Sequence, residues 1–363
     1  MSAAGACLEP GDELAMMMLL ARLIRGEAVA ASELPNPGDV AVAALRHGVL
    51  PLVHRGLGVH RPGDGCDGLR DALTVLARNE AAADIIRVAE TRRLLRGLHD
   101  AGIRVLIFKG GALAFSHYAS PHLRPRDDID ILVEESQLPV LDTVAGALGY
   151  RACTASDGRL MSHQRGYTRI DRRGIHHNID VHWRISNRHR YARLFSLEEL
   201  LARSRALPEH AGSARCPAPV DALLIAALHR ARHRGTDRLV WLYDIHRLLA
   251  AMDAGDLAEL EERVAGKGLA AEYQAAVHGA EHFFGRSGGA PPTVATGLRT
   301  IDIWRSDLAA LPTWRARLAL LKEHAFPSAD YMRRTGGGGN PVSLSFAYLV
   351  RGVRGSMKLL RRA

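Results

Sequence analysis

The segment DIDILV at residues 128–133 constrains the fold of this chain more than any other feature of its sequence. It is apolar enough to form a buried strand, yet Asp128 and Asp130 occupy alternate positions in it. Alternate residues of a strand point to the same face of a sheet, so both carboxylates lie on one side. Because a buried carboxylate is costly unless a positive group holds it, this pair predicts a bound metal ion.

The sequence around this segment alternates between short strands and helices, as judged from apolar periodicity and glycine or proline breaks. The predicted elements are a strand at 103–108, a helix at 111–118, a strand at 129–133, a helix at 135–150, and an antiparallel hairpin of strands at 166–170 and 175–183. We therefore predict an α+β (mixed α/β) fold, with a small mixed sheet and helices.

A third acid lies in the segment IDVHW at residues 179–183. Asp180 is flanked by isoleucine and valine, which place it in a buried strand that can run beside the strand of the first two acids. Three converging carboxylates hold two divalent cations, which bridge nucleotide phosphates and lower the pKa of an acceptor hydroxyl. We expect His182 and the tryptophan after it to orient Asp180. Asp171 and the segment IHHN at 175–178 stay open as alternatives for the third position.

The glycine turn after the first predicted strand is suited to phosphate binding. Gly110 and Gly111 let backbone N–H groups approach a phosphate closely, and the following helix N-terminus adds a favourable dipole. Lys109 precedes them, and it either contacts a phosphate or caps the strand in water.

Two arginines, Arg124 and Arg126, flank Pro125 in the loop that leads to the acids. An arginine in this position can neutralise triphosphate charge through bidentate hydrogen bonds. The structural alternative is an ion pair with Asp127, which applies more readily to Arg126. We therefore predict that Arg124 binds the nucleotide.

Helical patterns occupy the chain on both sides of this unit. We predict three parts: an N-terminal helical region at 1–100, a central α+β unit at 101–210 and a C-terminal helical region at 211–363.

In the C-terminal region, His229 and His233 lie one helical turn apart, a spacing compatible with a metal pair. Arg230 stands where a zinc peptidase has its glutamate, so that activity is not supported. We expect the two histidines to face a cleft or to pack between domains. On the next helix, Trp241 is expected in the core, and Asp244 pairs with one of the histidines or with an arginine.

The composition fits a globular protein, with 47% hydrophobic and 24% charged residues. A net charge of +9 and a pI near 9.8 favour anionic ligands without choosing among nucleotides, nucleic acid and acidic lipid. The four cysteines form no CxxC pair, which indicates neither a zinc site nor a disulfide framework and fits a reducing cytoplasm. The apolar run at 14–21 follows acidic residues, unlike a signal peptide, and we expect no transmembrane segment.

These motifs resemble those of a known superfamily. KGG at 109–111, RPRDDIDILV at 124–133 and IDVHW at 179–183 are similar to the motifs of nucleotidyltransferases with the DNA polymerase β-like fold. More narrowly, they resemble the bacterial group of uncharacterised nucleotidyltransferases. The likeness covers most of the chain, since it extends to RHGVLPLV at 46–53, HRARHRGTDRLVWLYDI at 229–245, FPSADYM at 326–332 and YLVR at 348–351.

The resemblance implies that the unit at 101–210 is a catalytic domain. Asp128 and Asp130 would bind metal, and Asp180 would complete the second metal site and help to deprotonate the acceptor. Two Mg²⁺ ions are expected, and Mn²⁺ can replace them.

The resemblance also implies a nucleotide site. Gly110 and Gly111 would hold the phosphates beside Lys109, and Arg124 matches an arginine that the group carries before its acidic pair. The superfamily often has serine after its first glycine, whereas Gly111 stands there in this chain, so only backbone amides remain.

The implied reaction moves a nucleoside monophosphate from a triphosphate such as ATP to a hydroxyl-bearing acceptor, with release of pyrophosphate. A peptide or protein, a small molecule and an RNA end all stay open as acceptors, and the base is not indicated. Two other functions compete with this one. An inactive nucleotide-binding partner is disfavoured by the presence of three candidate acids, and a basic binder of nucleic acid or membrane surface would act through the tail.

The tail at 343–363 combines an apolar stripe at helical spacing with five basic side chains. It either packs as a final helix or presents a surface to acidic lipid or an anionic acceptor, tethered by the glycine hinge at 336–339. Gly352 and Gly355 weaken an isolated helix by about 1 kcal/mol each, which favours a docked helix.

Overall fold

The structure is a computed structural model that describes residues 10–58, 65–153, 162–207, 214–233, 237–285 and 300–326, together with Met332 and Tyr348. The helices are α1 (Pro10–Ile24), α2 (Pro37–Arg46), α3 (Leu50–Leu57), α4 (Asp67–Asp100), α5 (Lys109–Ser116), α6 (Leu138–Ala147), α7 (His189–Ala192), α8 (Leu197–Arg203), α9 (Pro219–Arg232), α10 (Leu239–Ala250), α11 (Ala254–Lys267), α12 (Ala270–Phe284), α13 (Thr300–Ala309) and α14 (Trp314–Ala325). The strands are β1 (Leu106–Phe108), β2 (Asp128–Leu132), β3 (Arg151–Cys153), β4 (Gln164–Ile170), β5 (His176–His182), β6 (Arg205–Ala206) and β7 (Arg215–Cys216).

The described strands form one mixed sheet in the order β3-β4-β5-β2-β1-β7-β6. The predicted α+β class is therefore confirmed. The predicted hairpin is the antiparallel pair β4 and β5. The prediction that β5 can run beside β2 is confirmed, and the structure shows that the two strands are parallel. The first predicted strand is shorter than expected, because regular pairing begins only at Leu106.

The chain divides into two compact units, each built from separated segments. The first unit comprises residues 1–90, 109–126 and 222–292, and the second comprises residues 91–108, 127–221 and 293–363. Every strand of the sheet belongs to the second unit. The three-part division at 1–100, 101–210 and 211–363 stays a prediction.

The core of the first unit is built mainly from the apolar faces of α1, α2, α3, α10 and α12. Leu20 and Leu23 of α1 are fully buried in it, as are Leu52 and Leu57 of α3. A Cβ at Gly56 would lie 1.8 Å from the carbonyl oxygen of Leu23, so only glycine lets α3 approach α1 this closely.

The sheet of the second unit buries one side of each central strand. Ile129 and Ile131 of β2 and Ile179 and Val181 of β5 are at most 6% exposed. Because side chains alternate along a strand, the residues between them share the opposite face of the sheet, where the candidate site lies.

Two predictions fall wholly or mostly outside the described residues: the basic helix at 343–363, apart from Tyr348, and the glycine hinge at 336–339. Within the described part of the chain, no helix has both the length and the apolar character that crossing a bilayer requires.

Candidate active site

Two of the predicted acids meet at the centre of the sheet. The parallel register of β2 and β5 sets Asp130 directly beside Asp180 on the same face. One ligand atom from each of Asp130, Asp180 and His182 lies within 4.8 Å of the other two. Carboxylates this close repel each other unless a cation or a proton lies between them. The donor set therefore fits a divalent metal ion.

His182 is fixed beside Asp130. Its Nε2 lies 2.8 Å from Oδ1 of Asp130 in a hydrogen bond, and its ring packs edge-on against Phe108 at 5.0 Å. The side chain of His182 is 1% exposed. The sequence predicts that His182 orients Asp180, and this stays a prediction; the structure shows a hydrogen bond between His182 and Asp130. The shared face of β2 and β5 brings both acids within its reach.

Asp180 is oriented by Gln164, which Asn187 holds in turn, and neither contact was predicted from the sequence. Gln164 donates from Nε2 to Oδ2 of Asp180 at 3.0 Å, and Asn187 donates from Nδ2 to Oε1 of Gln164 at 3.0 Å. Oδ1 of Asn187 accepts the backbone N–H of His163 at 2.8 Å. Gln164 begins β4, so the alternation of the hairpin carried a signal for it. Asn187 follows β5 in a loop, where no periodic signal exists.

Gly166 leaves space beside the same carboxylate. It is paired with Asp180 across the hairpin, and a Cβ there would lie 3.1 Å from the carbonyl oxygen of Cys153 and 3.5 Å from Oδ1 of Asp180. A larger residue would therefore press on the strand and on the carboxylate.

Asp171, the open alternative for the third acid, is committed to the hairpin turn. Its Oδ1 accepts the backbone N–H groups of Arg173 and Ile175 at 2.8 and 2.9 Å, and its Oδ2 lies 3.4 Å from Nε2 of His177. These contacts, led by the bond from Ile175, lower the pKa of Asp171. The turn accounts for this acid, which favours Asp180 at the site.

Asp128 begins β2 and is exposed. Its strand partner is Asn178, and by alternation it shares the face of Asp130. It is not one of the three residues whose ligand atoms converge. Its role as a metal ligand stays a prediction.

The predicted phosphate turn lies in the first unit. Lys109 has φ of 53°, in the left-handed region, and it is the only residue other than glycine with positive φ among the described residues. Such strained positions concentrate at functional sites. Gly110 and Gly111 follow it in the first turn of α5, and both are buried.

Arg124 lies against this turn and is held by Asp244. Its Nε donates to Oδ1 of Asp244 at 2.9 Å, its Nη2 donates to Oδ2 at 2.8 Å, and its Nη1 donates to the carbonyl oxygen of Pro125 at 2.7 Å. A Cβ on Gly110 would meet the Arg124 guanidinium at 3.0 Å. The arginine alternative for Asp244 is thereby confirmed, and nucleotide binding by Arg124 stays a prediction.

Tyr118 completes this buried network by donating from its hydroxyl to Oδ1 of Asp244 at 2.6 Å. Burial, with the nearby charge of Asp244, raises the pKa of Tyr118 well above its usual value. Tyr118 therefore stays protonated and acts as a donor at neutral pH.

Arg126 forms a different ion pair from the one considered in the sequence. Its Nη2 lies 2.9 Å from Oδ1 of Asp84, with both side chains 8% exposed, and its guanidinium lies over the ring of Phe115 at 5.1 Å. Burial raises the pKa of Asp84 although the charge of Arg126 opposes that shift.

His229, His233 and Trp241 form an aromatic cluster in the first unit. The two imidazole centroids are 4.7 Å apart, and each lies about 5 Å from the indole of Trp241, at 4.9 and 5.0 Å. Trp241 is partly buried against the core, and the guanidinium of Arg238 lies 5.9 Å from its ring centroid. The contacts are those of packed rings.

Comparison with known proteins gives one family match. The sequence model of a family described as "Uncharacterised nucleotidyltransferase" matches residues 35–285, well over half of the chain. No curated protein matches. Among solved structures, the solution structure of the antibiotic-resistance factor ANT(2'')-Ia is similar at 14% identity and a TM-score of 0.37, covering 53% of this chain and 97% of that one. A likeness of this size carries no argument about substrates.

Proposed function

The chain belongs to the uncharacterised nucleotidyltransferase family and is a nucleotidyltransferase enzyme, and we propose that it moves a nucleoside monophosphate from a triphosphate to a hydroxyl-bearing acceptor in a metal-dependent reaction. The observation that carries the metal dependence is the convergence of Asp130, Asp180 and His182 within 4.8 Å. Pyrophosphate is the product that leaves.

The donor set supports Mg²⁺ as the ion, with Mn²⁺ as a substitute. Carboxylate oxygens are the ligands that Mg²⁺ prefers, and an imidazole nitrogen adds affinity for Mn²⁺. When bound, the ion neutralises phosphate charge and lowers the pKa of an acceptor hydroxyl. We propose two ions, because Asp128 adds a further carboxylate on the face of β2 that carries Asp130.

Each residue of the site has a distinct part in this proposal. Asp180 takes the acceptor's proton, and Gln164 holds the Asp180 carboxylate through Oδ2. His182 holds Asp130 in place. The acceptor oxygen attacks the α-phosphorus while its proton passes to Asp180. The bond from that phosphorus to the bridging oxygen breaks, and pyrophosphate leaves with the electron pair.

The triphosphate is assigned to the turn at Lys109, Gly110 and Gly111. The left-handed backbone of Lys109 supports this assignment, as do the two buried glycines that open α5. Arg124 lies against Gly110, so its guanidinium, which is paired with Asp244, supports the turn beside the proposed phosphate position. ATP is the first triphosphate to test, and a cytoplasmic location is part of the proposal.

The acceptor in this proposal carries a hydroxyl group, and peptides or proteins, small molecules and RNA ends are its candidate classes. The experiment is thermal unfolding of the full chain with each nucleoside triphosphate, with and without Mg²⁺ or Mn²⁺. Incubation with candidate acceptors and mass spectrometry of the products follows.

We expect metal-dependent stabilisation by a triphosphate, which Asp130→Asn removes. The matched control is Asp100→Asn, which changes the same charge at an exposed position near the end of α4. Stabilisation that is independent of metal, or that survives in Asp130→Asn, contradicts the proposal.

A further inference from the structure

A second cluster of side chains lies where the β4–β5 hairpin opens, beyond Gln164. The backbone N–H of Trp183 donates to the carbonyl oxygen of His163 at 3.1 Å, and this hydrogen bond extends the pairing of β4 and β5 by one residue. The imidazole of His163 lies perpendicular to that of His189, with ring centroids 5.4 Å apart. The indole of Trp183 is 6.3 Å from the His163 ring.

Both imidazoles keep a buried nitrogen without a partner. Nε2 of His163 and Nε2 of His189 are each shielded from solvent, and neither makes a hydrogen bond to any described residue. Buried polar atoms in folded proteins almost always have a partner, so an orphan calls for a specific explanation. Two orphans in one cluster indicate a ligand that supplies the partner.

The charges around the cluster select the sign of that ligand. Arg184 and Arg193 make no ion pair or hydrogen bond within the described part of the chain, and both affect His163 electrostatically. Burial first, then the charges of His189 and these arginines, lowers the pKa of His163 to about 4. His163 is therefore neutral at pH 7 and offers an N–H donor. Positive surroundings disfavour a metal cation and favour an anion.

An acid that contacts the residues around His189 is already engaged. Asp307 of α13 accepts from Nη1 of Arg188 at 3.0 Å and from the backbone N–H of Arg190 at 3.5 Å. Its charge is thus committed to its own pair, and the excess of positive charge at Arg184 and Arg193 remains.

The cluster is joined to the candidate active site by hydrogen bonds. The backbone N–H of His163 donates to Asn187, Asn187 donates to Gln164, and Gln164 donates to Asp180. Asp180 is the residue to which the proposed mechanism assigns the acceptor's proton. The cluster therefore adjoins the part of the site that receives the acceptor.

We propose that His163, Arg184, His189 and Arg193 form a subsite for a phosphate group carried by the acceptor. Two imidazole N–H donors and two guanidinium groups suit a tetrahedral oxyanion, whose oxygens point in four directions. The assignment to the acceptor rests on the proposed function, while the binding of phosphate does not.

The test measures binding of inorganic phosphate to the full chain by calorimetry, without nucleotide or divalent metal. Replacing one guanidinium removes charge-assisted hydrogen bonds, so Arg184→Gln and Arg193→Gln should each weaken phosphate binding by about tenfold. Arg172→Gln is the matched control, since this exposed arginine lies in the turn at the other end of the hairpin. Equal weakening in the control, or no binding by the wild-type chain, overturns the proposal.

His189→Gln supplies an independent variant that keeps one amide donor and leaves the arginines intact. We expect several-fold weaker phosphate binding with an unchanged unfolding midpoint. A parallel titration with Zn²⁺ tests the opposite chemistry. Tight Zn²⁺ binding that His189→Gln removes, together with unchanged phosphate binding, would show a metal pair and refute the anion subsite.

A last arm separates the acceptor's phosphate from the phosphates of the nucleotide. Arg184→Gln should leave the affinity for ATP with Mg²⁺ within twofold of the wild-type value. An equal loss of ATP and phosphate binding would assign the cluster to the triphosphate instead. If ATP shows no metal-dependent binding at all while phosphate binds as expected, the proposed function fails and the oxyanion subsite stands.

Discussion

In the first unit, the guanidinium of Arg124 faces the carboxylate of Asp244, whereas in the second unit Asp130 and Asp180 place two carboxylates side by side. Opposite charges with matched hydrogen bonds neutralise each other in the folded protein, so the first arrangement needs no further ligand. Like charges are balanced only when something else binds. The Arg124–Asp244 pair is therefore a structural network, whereas Asp130 and Asp180 form a candidate metal site.

The difference also predicts opposite responses to mutation. Removing one partner of a buried ion pair leaves an uncompensated charge and destabilises the fold by about 3–5 kcal/mol. Removing one of two neighbouring carboxylates relieves repulsion and preserves the fold. Stability and activity should therefore be lost in different units.

The largest effect is expected at the paired acids. Asp130→Asn should lower nucleotidyl transfer by roughly a thousandfold or more, because a metal ligand is lost, while the unfolding midpoint holds or rises. Asp128→Asn should abolish transfer in the same way if Asp128 holds the second ion. Product formation measured by mass spectrometry, alongside thermal unfolding, checks both variants. Wild-type turnover in either variant would remove that acid from the site.

Asp180→Asn sharpens the difference between ligand and base. If Asp180 takes the acceptor's proton, the variant should lose turnover more completely than it loses triphosphate affinity. Nucleotide affinity from calorimetry and turnover from product analysis are compared in the same buffer. Equal losses of both would mean that Asp180 only builds the nucleotide site.

The next effect is on stability in the first unit. Asp244→Ala should lower the free energy of unfolding by about 3–5 kcal/mol, because Arg124 is left charged and buried and Tyr118 loses its acceptor. Replacing Arg124 with Met in the same chain should cost less than the sum of the two single changes. Denaturant unfolding of the four proteins gives the coupling energy. An additive cycle would show that the pair is not coupled.

Much of the site could be predicted from the sequence because period two fixes which strand residues share a face. Asp128 and Asp130 share a face by that rule, and the predicted neighbourhood of β2 and β5, which brings Asp180 beside Asp130, is confirmed. The partners of the two loop arginines could not be predicted. Asp244 is 120 residues from Arg124, and only tertiary packing brings them together.

The same limit applies to His182, whose hydrogen bond to Asp130 the sequence did not predict. The alternation of β5 places the His182 side chain on the face of the sheet that carries Asp130 and Asp180. The sequence does not indicate which of these two acids the imidazole contacts. Gln164 was within reach of the same reasoning, since the hairpin register pairs it with His182 and sets it near Asp180. Asn187 lies in a loop, where side-chain directions follow no regular period, so its contact could not be predicted from the sequence.

Gln164→Leu tests whether the second unit depends on the support of its acids. Loss of the hydrogen bond to Oδ2 should weaken Mn²⁺ or Mg²⁺ affinity by about 10- to 100-fold, as is usual for residues that orient metal ligands. Gln137→Leu is the matched control. Gln137 directly precedes α6, and its amide donates to the carbonyl oxygen of Gly102, in the same unit but outside the acid cluster. Metal titration by calorimetry measures both. Unchanged metal affinity in Gln164→Leu would show that the hydrogen bond from Gln164 does not contribute to metal binding by Asp180.

The smallest effect is a change in unfolding free energy, and it is expected when Gly110 of the predicted phosphate turn or Gly146 of α6 is replaced by alanine. A Cβ at Gly110 would lie 3.0 Å from the Arg124 guanidinium, and Asp244 prevents that side chain from moving away freely. Gly110→Ala should therefore cost about 1–2 kcal/mol of unfolding free energy. Gly146, inside α6 of the second unit, has no atom within 4 Å of a Cβ position, so Gly146→Ala should stabilise by about 0.5–1 kcal/mol. The effect of a glycine-to-alanine substitution on the free energy of unfolding thus changes sign between the units.

If the predicted phosphate contact is also correct, Gly110→Ala weakens triphosphate binding while Gly146→Ala leaves it unchanged. Stabilisation by both alanines would mean that the Arg124 side chain moves away from Gly110 at little cost, which would contradict a rigid Arg124–Asp244 network.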